Sequence, residues 1–155
     1  MRKVLSAIAI GLLASSLGIA ATAIGKGPKS PKQAPGTVSV LAMPSTLGAT
    51  DAATTVTGNV KSNSGCRKDR LVRFAYTGAS GTTQLAETVE TRSNGDFTVV
   101  LPRPTVTAPA TVTLQVSVDQ ANRRVGSKKK GKREKKGRKI TCMAATGRTT
   151  LTLVQ

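Results

Sequence analysis

Thr111-Val112-Thr113-Leu114-Gln115-Val116-Ser117-Val118-Asp119 sets valine or leucine at every second position, with polar groups between them. A period of two sends alternate side chains to opposite faces of an extended chain, so this stretch reads as a strand with one buried and one solvated face. The same alternation recurs on both sides of it. Toward the N-terminus it marks Phe97, Val99 and Leu101, then Val89 and Thr91, then Val72, Phe74 and Tyr76, then Val56, Gly58 and Val60, and finally Val38 and Val40. Toward the C-terminus it marks Ile140 and Cys142, then Leu151 and Leu153. Short alternating runs, frequent turn residues and no amphipathic helical stretch predict an all-β antiparallel sandwich of about seven or eight strands.

Local punctuation refines that outline. Asn94-Gly95, between the Val89 and Phe97 runs, is a hairpin signal, because a tight primed turn needs the positive φ that Asn and Gly accept. Pro102, Pro104 and Pro109 in LPRPTVTAP interrupt a ladder and mark a crossover between sheets or a bend at an edge. Threonine is abundant on the outward positions, as half-solvated strands favour. With two Phe, one Tyr and no Trp, the core must be small and aliphatic.

Val56-x-Gly58-x-Val60, Val72-x-Phe74, and Thr91 followed by Asn94-Gly95-Asp96-Phe97 together resemble the bacterial Ig-like or transthyretin-like sandwiches known as carboxypeptidase regulatory-like domains. The resemblance covers residues 54–101. It implies an Ig-like β-sandwich acting as a noncatalytic accessory or surface module, and it brings no site with it. The chain departs from that pattern by lacking a Gly-x-Tyr step after the Phe97 strand and by inserting a long basic loop later.

Residues 1–23 read as a secretory signal peptide. Arg2 and Lys3 form a positive n-region, Val4 to Ala20 carries no charge, and Ala21-Thr22-Ala23 offers small residues for cleavage. The competing reading is an uncleaved anchor, since the uncharged stretch from Val4 to Ile24 is 21 residues long. Gly11, Ser15, Ser16, Gly18 and Thr22 make that stretch weakly apolar, which favours the signal. The expected location is therefore secreted or cell-envelope associated, with membrane anchoring only if the signal stays attached. Residues 24–36, IGKGPKSPKQAPG, cannot bury apolar surface and read as a flexible linker or a frayed N-terminus. Residues 37–155 form the sandwich domain, with a basic insertion at 126–139.

Charge and cysteines supply the rest. The chain carries 24 basic and seven acidic residues, and 22 of the basic ones lie beyond the signal. Such an excess points to acidic partners. Lys128 to Lys139, KKKGKREKKGRK, packs nine basic residues and Glu134 into twelve positions. Like charges repel and Gly131 and Gly137 loosen the backbone, so this run is expected to be an exposed loop without helix or strand. Cys66 and Cys142 are the only cysteines, and an even count in an exported chain predicts a disulfide; two buried free thiols are the alternative. The loop so closed, about 76 residues, would be worth roughly 4 kcal/mol of chain entropy. It would also bring Arg67, Lys68 and Arg70 beside the base of the basic run, near Arg123 and Arg124.

The candidate anion-binding set is therefore Lys128, Lys129, Lys130, Lys132, Arg133, Lys135, Lys136, Arg138 and Lys139 with Arg67, Lys68 and Arg70. Its expected ligands are anionic cell-wall polymer, acidic polysaccharide or lipid headgroups, held through counterion release. Specific nucleic-acid readout is not expected, because the run has no aromatic to stack a base and the fold has no groove-entering helix. A solvated loop without a ligand is the competing reading, with the sandwich serving a structural or protein-interaction role.

Catalysis is not expected. The chain has no histidine, which excludes Ser-His-Asp and Cys-His triads. Glu87 and Glu90, three apart on a strand, face opposite ways and cannot act as a carboxylate pair unless a bulge intervenes. Asp51, Asp69, Asp96, Asp119 and Glu134 show no pairing either. No metal or cofactor motif is present, and without histidine or a CxxC a zinc site is not expected.

Overall fold

The computed structural model describes residues 31–126, 129–130, 133–134 and 137–155, the two short pairs by backbone alone. The signal-peptide reading at 1–23 and most of the linker fall outside these residues. In chain order the strands are β1 (Lys32–Ala34), β2 (Thr37–Met43), β3 (Thr46–Leu47), β4 (Ala53–Lys61), β5 (Leu71–Gly78), β6 (Gly81–Glu90) and β7 (Asp96–Pro102). They continue as β8 (Ala110–Val118), β9 (Ala121–Val125), β10 (Lys129–Lys130), β11 (Arg133–Glu134), β12 (Arg138–Cys142) and β13 (Ala145–Leu153). One helical turn, α1 (Ser64–Arg67), lies between β4 and β5. The all-β expectation holds.

Eight of the strands build two sheets around one core. The first has the order β3-β13-β8-β5-β6 and the second β2-β4-β7. The stretch that decided the fold is β8, paired antiparallel with β5 on one side and β13 on the other. Its Val112, Leu114, Val116 and Val118 are buried against Phe74 and Tyr76 of β5, Val56 and Val60 of β4, and Phe97 and Leu101 of β7. Phe74 and Phe97 meet edge to face across the two sheets, ring centroids 6.1 Å apart. The small aliphatic core read from composition is what fills the space.

Two glycines let backbones and rings approach. A Cβ on Gly58 would stand 2.2 Å from the Phe97 ring, which explains the Val-x-Gly-x-Val step in β4. A Cβ on Gly147 would stand 2.5 Å from the Val38 carbonyl oxygen, where β13 crosses β2.

The chain changes sheet at its proline-marked points. After β2 it passes Pro44 and Ser45 and pairs parallel with the end of β13, Thr152 opposite Thr46. Thr54 Oγ1 donates to the Pro44 carbonyl at 2.9 Å and fixes that crossing. Residues 103–109, with Pro104 and Pro109, carry the chain from β7 in one sheet to β8 in the other, as the proline run implied.

Three local expectations need correction. Asn94-Gly95 does not close a hairpin, because β6 pairs with β5 while β7 pairs with β4 in the opposite sheet. The turn chemistry is still used: Gly95 has φ 95°, its N–H donates to the Arg92 carbonyl, and Arg92 N–H donates to the Asp96 carbonyl. The two strands then diverge because each has a longer ladder to complete elsewhere.

Residues 32–34, within the expected linker 24–36, form β1. It pairs parallel with β12 and buries Ala34 beside Cys142, with Met143 N–H donating to the Ala34 carbonyl at 3.0 Å. One small apolar side chain and an open strand edge are enough to order it.

The basic run is not uniformly loop. Arg138 and Lys139 begin β12, and β10 pairs antiparallel with β11, Lys129 opposite Glu134 and Lys130 opposite Arg133.

Beyond the main core, β1, β12 and β9 form a third sheet at one end of the sandwich. Its inner face builds a second, small core of Ala34, Cys66, Ile140 and Cys142, with Ala121 and Val125 packed against it.

Candidate functional site

One end of the sandwich gathers β4's exit, α1, the 91–96 turn and strands β9 and β12 of the excursion between β8 and β13. Cys66 on α1 and Cys142 on β12 stand at disulfide distance, Cα atoms 5.4 Å apart and both residues fully buried. Gly65 is needed beside them, since a Cβ there would stand 2.3 Å from Val125 Cγ1 of β9.

Arg70 ties this junction together. Only 2% exposed, its guanidinium donates to the carbonyls of Cys66 and Met143, each at 3.1 Å, and to that of Asp119. These carbonyls come from α1 and from both ends of the excursion, so one side chain clamps the three segments. Thr91 supports it: Arg70 N–H donates to Thr91 Oγ1 at 2.8 Å, and Thr91 Oγ1 donates to the Arg67 carbonyl at 2.6 Å. Desolvation by burial, then repulsion from Arg123, lowers the Arg70 pKa, while Asp119 opposes the shift. A guanidinium nevertheless keeps its proton.

Arg70 is therefore removed from the anion-binding set: its donors are spent on backbone carbonyls and it has no surface to offer. Sequence gave no warning of this, because an arginine just ahead of a strand is usually solvated.

The other sequence candidates fall into four groups. Arg67 is half-buried at the end of α1, and Lys68 is exposed and ion-paired with Asp69 at 3.6 Å. Arg138 and Lys139 are exposed on β12. Lys129, Lys130 and Arg133 lie on the β10–β11 ladder, while Lys128, Lys132, Lys135 and Lys136 lie outside the described residues. The structure thus brings Arg67, Lys68, Arg138 and Lys139 to one end and adds Arg123 and Arg124 from β9.

Acids do not neutralise this end. Among the described residues the ion pairs are Lys68 with Asp69 and Arg73 with Asp119, the latter at 3.0 Å. Asp96 is occupied by the amides of Asn59 and Asn94. Arg123 donates to the Asp69 carbonyl, and Arg124, Arg138 and Lys139 have no acidic partner among the residues whose side chains are described.

The outer face of the third sheet carries a feature that sequence reasoning missed. Strand register sets Lys139 directly opposite Arg124 and Thr141 opposite Asn122. Pro31, Asn122, Arg123, Arg124 and Lys139 line a cleft of about 290 Å³ there. The alternation of exposed Asn122 and Arg124 in β9 was readable, but their pairing partners were not.

Among the described residues no three His, Cys, Asp or Glu side chains converge as metal ligands, and no helix is long and apolar enough to cross a membrane. Comparisons with family models, with curated proteins and with solved structures find no match to this chain.

Proposed function

We propose that this protein is an exported, noncatalytic β-sandwich module of Ig-like type that binds anionic polymer of the cell envelope through its basic end. The observation that carries the reading is the convergence of Arg67, Lys68, Arg123, Arg124, Arg138 and Lys139, together with the β10–β11 ladder, on one end with few acids to offset them. Anions of a polymer would displace condensed counterions there, giving affinity that falls steeply with salt. The signal-like segment at 1–23 supplies the route to such a partner. The absence of histidine from the whole sequence supports a binding rather than a catalytic role.

The test replaces residues 127–136 with a short neutral turn, leaving Arg138 and Lys139 in β12, and titrates both proteins against anionic cell-wall polymer at rising salt. Binding that weakens with the replacement and with salt is expected. Equal, salt-independent binding by both would reject the reading. Mass measurement of exported protein is expected to find a new N-terminus after Ala23.

A second reading rests on Met43 and Val100, 63% and 60% exposed, which flank Thr55 in one row across the outer face of β2-β4-β7, with Leu41 close by. Such a face suits an apolar protein contact, and a partner held there would survive high salt.

A further inference from the structure

We infer that the cleft on the outer face of β9 and β12 is a phosphodiester-binding subsite, with Arg124, Lys139 and Asn122 as its donors; this rests on the polyanion reading above and names the ligand class. Two cations placed directly opposite on a sheet face repel and destabilise the pair. The register imposes that conflict on Arg124 and Lys139, and none of the acids whose side chains are described pairs with either. An anion held between them would turn the repulsion into a shared attraction.

Asn122 sharpens the specificity. Its Oδ1 accepts a hydrogen bond from Thr141 Oγ1 at 2.9 Å, which turns the oxygen toward β12 and leaves the amide nitrogen free to donate. The groups facing the ligand are then a guanidinium fork, an ammonium and an amide N–H₂, all donors. Such a set favours an ionised, acceptor-only group over ligands that must donate. A planar carboxylate is satisfied by one arginine fork. Donors arriving from two strands suit a tetrahedral oxyanion, whose oxygens point in several directions.

The cleft, about 290 Å³, exceeds one oxyanion, and Pro31 gives it an apolar wall. A phosphodiester with its adjoining alcohol carbons fits that mixture. None of the lining residues is aromatic, so a nucleobase would find nothing to stack on. We therefore commit to a phosphodiester polymer with a polyol backbone.

The experiment uses three whole proteins: the natural chain, Arg124→Gln with Lys139→Gln, and the neutral-turn replacement of 127–136. Each is titrated calorimetrically with poly(glycerol phosphate), with poly-glutamate of matched length, and with phosphatidylglycerol vesicles. Circular dichroism checks the fold, and the Asn122 side-chain amide signals are followed by NMR. The natural chain is expected to prefer the phosphate polymer and to shift the Asn122 amide signals. The double variant is expected to bind that polymer about tenfold more weakly and to lose the preference over poly-glutamate, about one charge-assisted contact in affinity. The neutral-turn variant is expected to bind more weakly yet keep the preference.

If the double variant keeps both affinity and preference while the neutral-turn variant loses them, the cleft is not the subsite and the general electrostatic reading survives. If the natural chain binds vesicles alone, the polymer assignment is overturned. If it binds none of the three at low salt, both readings fall.

Discussion

Replacing Arg70 by methionine keeps much of the aliphatic volume and removes the clamp. Three carbonyls, on Cys66, Asp119 and Met143, then lose their donor. Each buried group left unpaired costs about 1–3 kcal/mol. The sum is reduced because the guanidinium no longer has to be desolvated, a relief of several kcal/mol, and because water can reach the partly exposed carbonyls. A net loss of about 3 kcal/mol is expected, a large share of the ~5–15 kcal/mol of an ordinary domain. With a urea slope of about 1–3 kcal/mol per molar, the midpoint should fall by about 1–3 M. The assay is urea unfolding followed by circular dichroism with the cysteines oxidised. Arg70→Lys should recover little, since one ammonium on a flexible stem cannot repeat the fork's reach to three carbonyls. In the folded variant, polymer binding should be unchanged within about twofold, because Arg70 has no exposed donor to lose. A midpoint shift under about 0.3 M, or a lost salt dependence of binding in a folded Arg70→Met, would refute the assignment of Arg70 as a clamp rather than a ligand.

Further expectations follow from other parts of the fold. Cys66→Ala with Cys142→Ala opens a 76-residue separation and should lower stability by up to about 4 kcal/mol, measured by the same unfolding titration; no change on reduction would mean the bond adds no constraint. Tyr76, whose hydroxyl donates to the Pro102 carbonyl at 2.8 Å, has its pKa pushed up to about 12, chiefly by burial and secondarily by Glu87. Below pH ~10 both folded and unfolded chains hold that proton; as pH rises from ~10 to ~12 only the unfolded chain releases it. Stability from this group is therefore complete below pH ~10 and declines by about 2–3 kcal/mol through that window, a decline that Tyr76→Phe should remove from alkaline unfolding curves. Gly58→Ala drives a methyl into the Phe97 ring and should cost about 2–3 kcal/mol in thermal unfolding, and a neutral result would contradict the close approach of β4 and β7.

Polarity alternation alone was enough to find the strands of the main core other than β3, and β12 beside them, but not β1, β3, β9, β10 or β11. Val112, Leu114, Val116 and Val118 repeat every second residue, and any extended chain must then bury one side of β8. Val72, Phe74 and Tyr76, and Phe97 and Leu101, obeyed the same rule and lie in the core. Pro104 and Pro109 lie in the segment that changes sheet, while Pro102 closes β7 opposite Ala53, at a strand end where a residue without an N–H is tolerated. The basic end was legible as composition, and the cysteine pair was legible because only one partner existed for each.

The sequence by itself determined the all-β class, the strand faces, the small aliphatic core and the concentration of positive charge, since each follows from local periodicity or simple counting. Tertiary structure decided which strands pair, and so sent β6 and β7 to opposite sheets despite the Asn-Gly turn between them. It also took Arg70 out of solvent, drew residues 32–34 into a sheet, and set Arg124 opposite Lys139. These outcomes depend on contacts between residues far apart in the chain, where register and burial emerge only once the backbone groups of every segment have found partners.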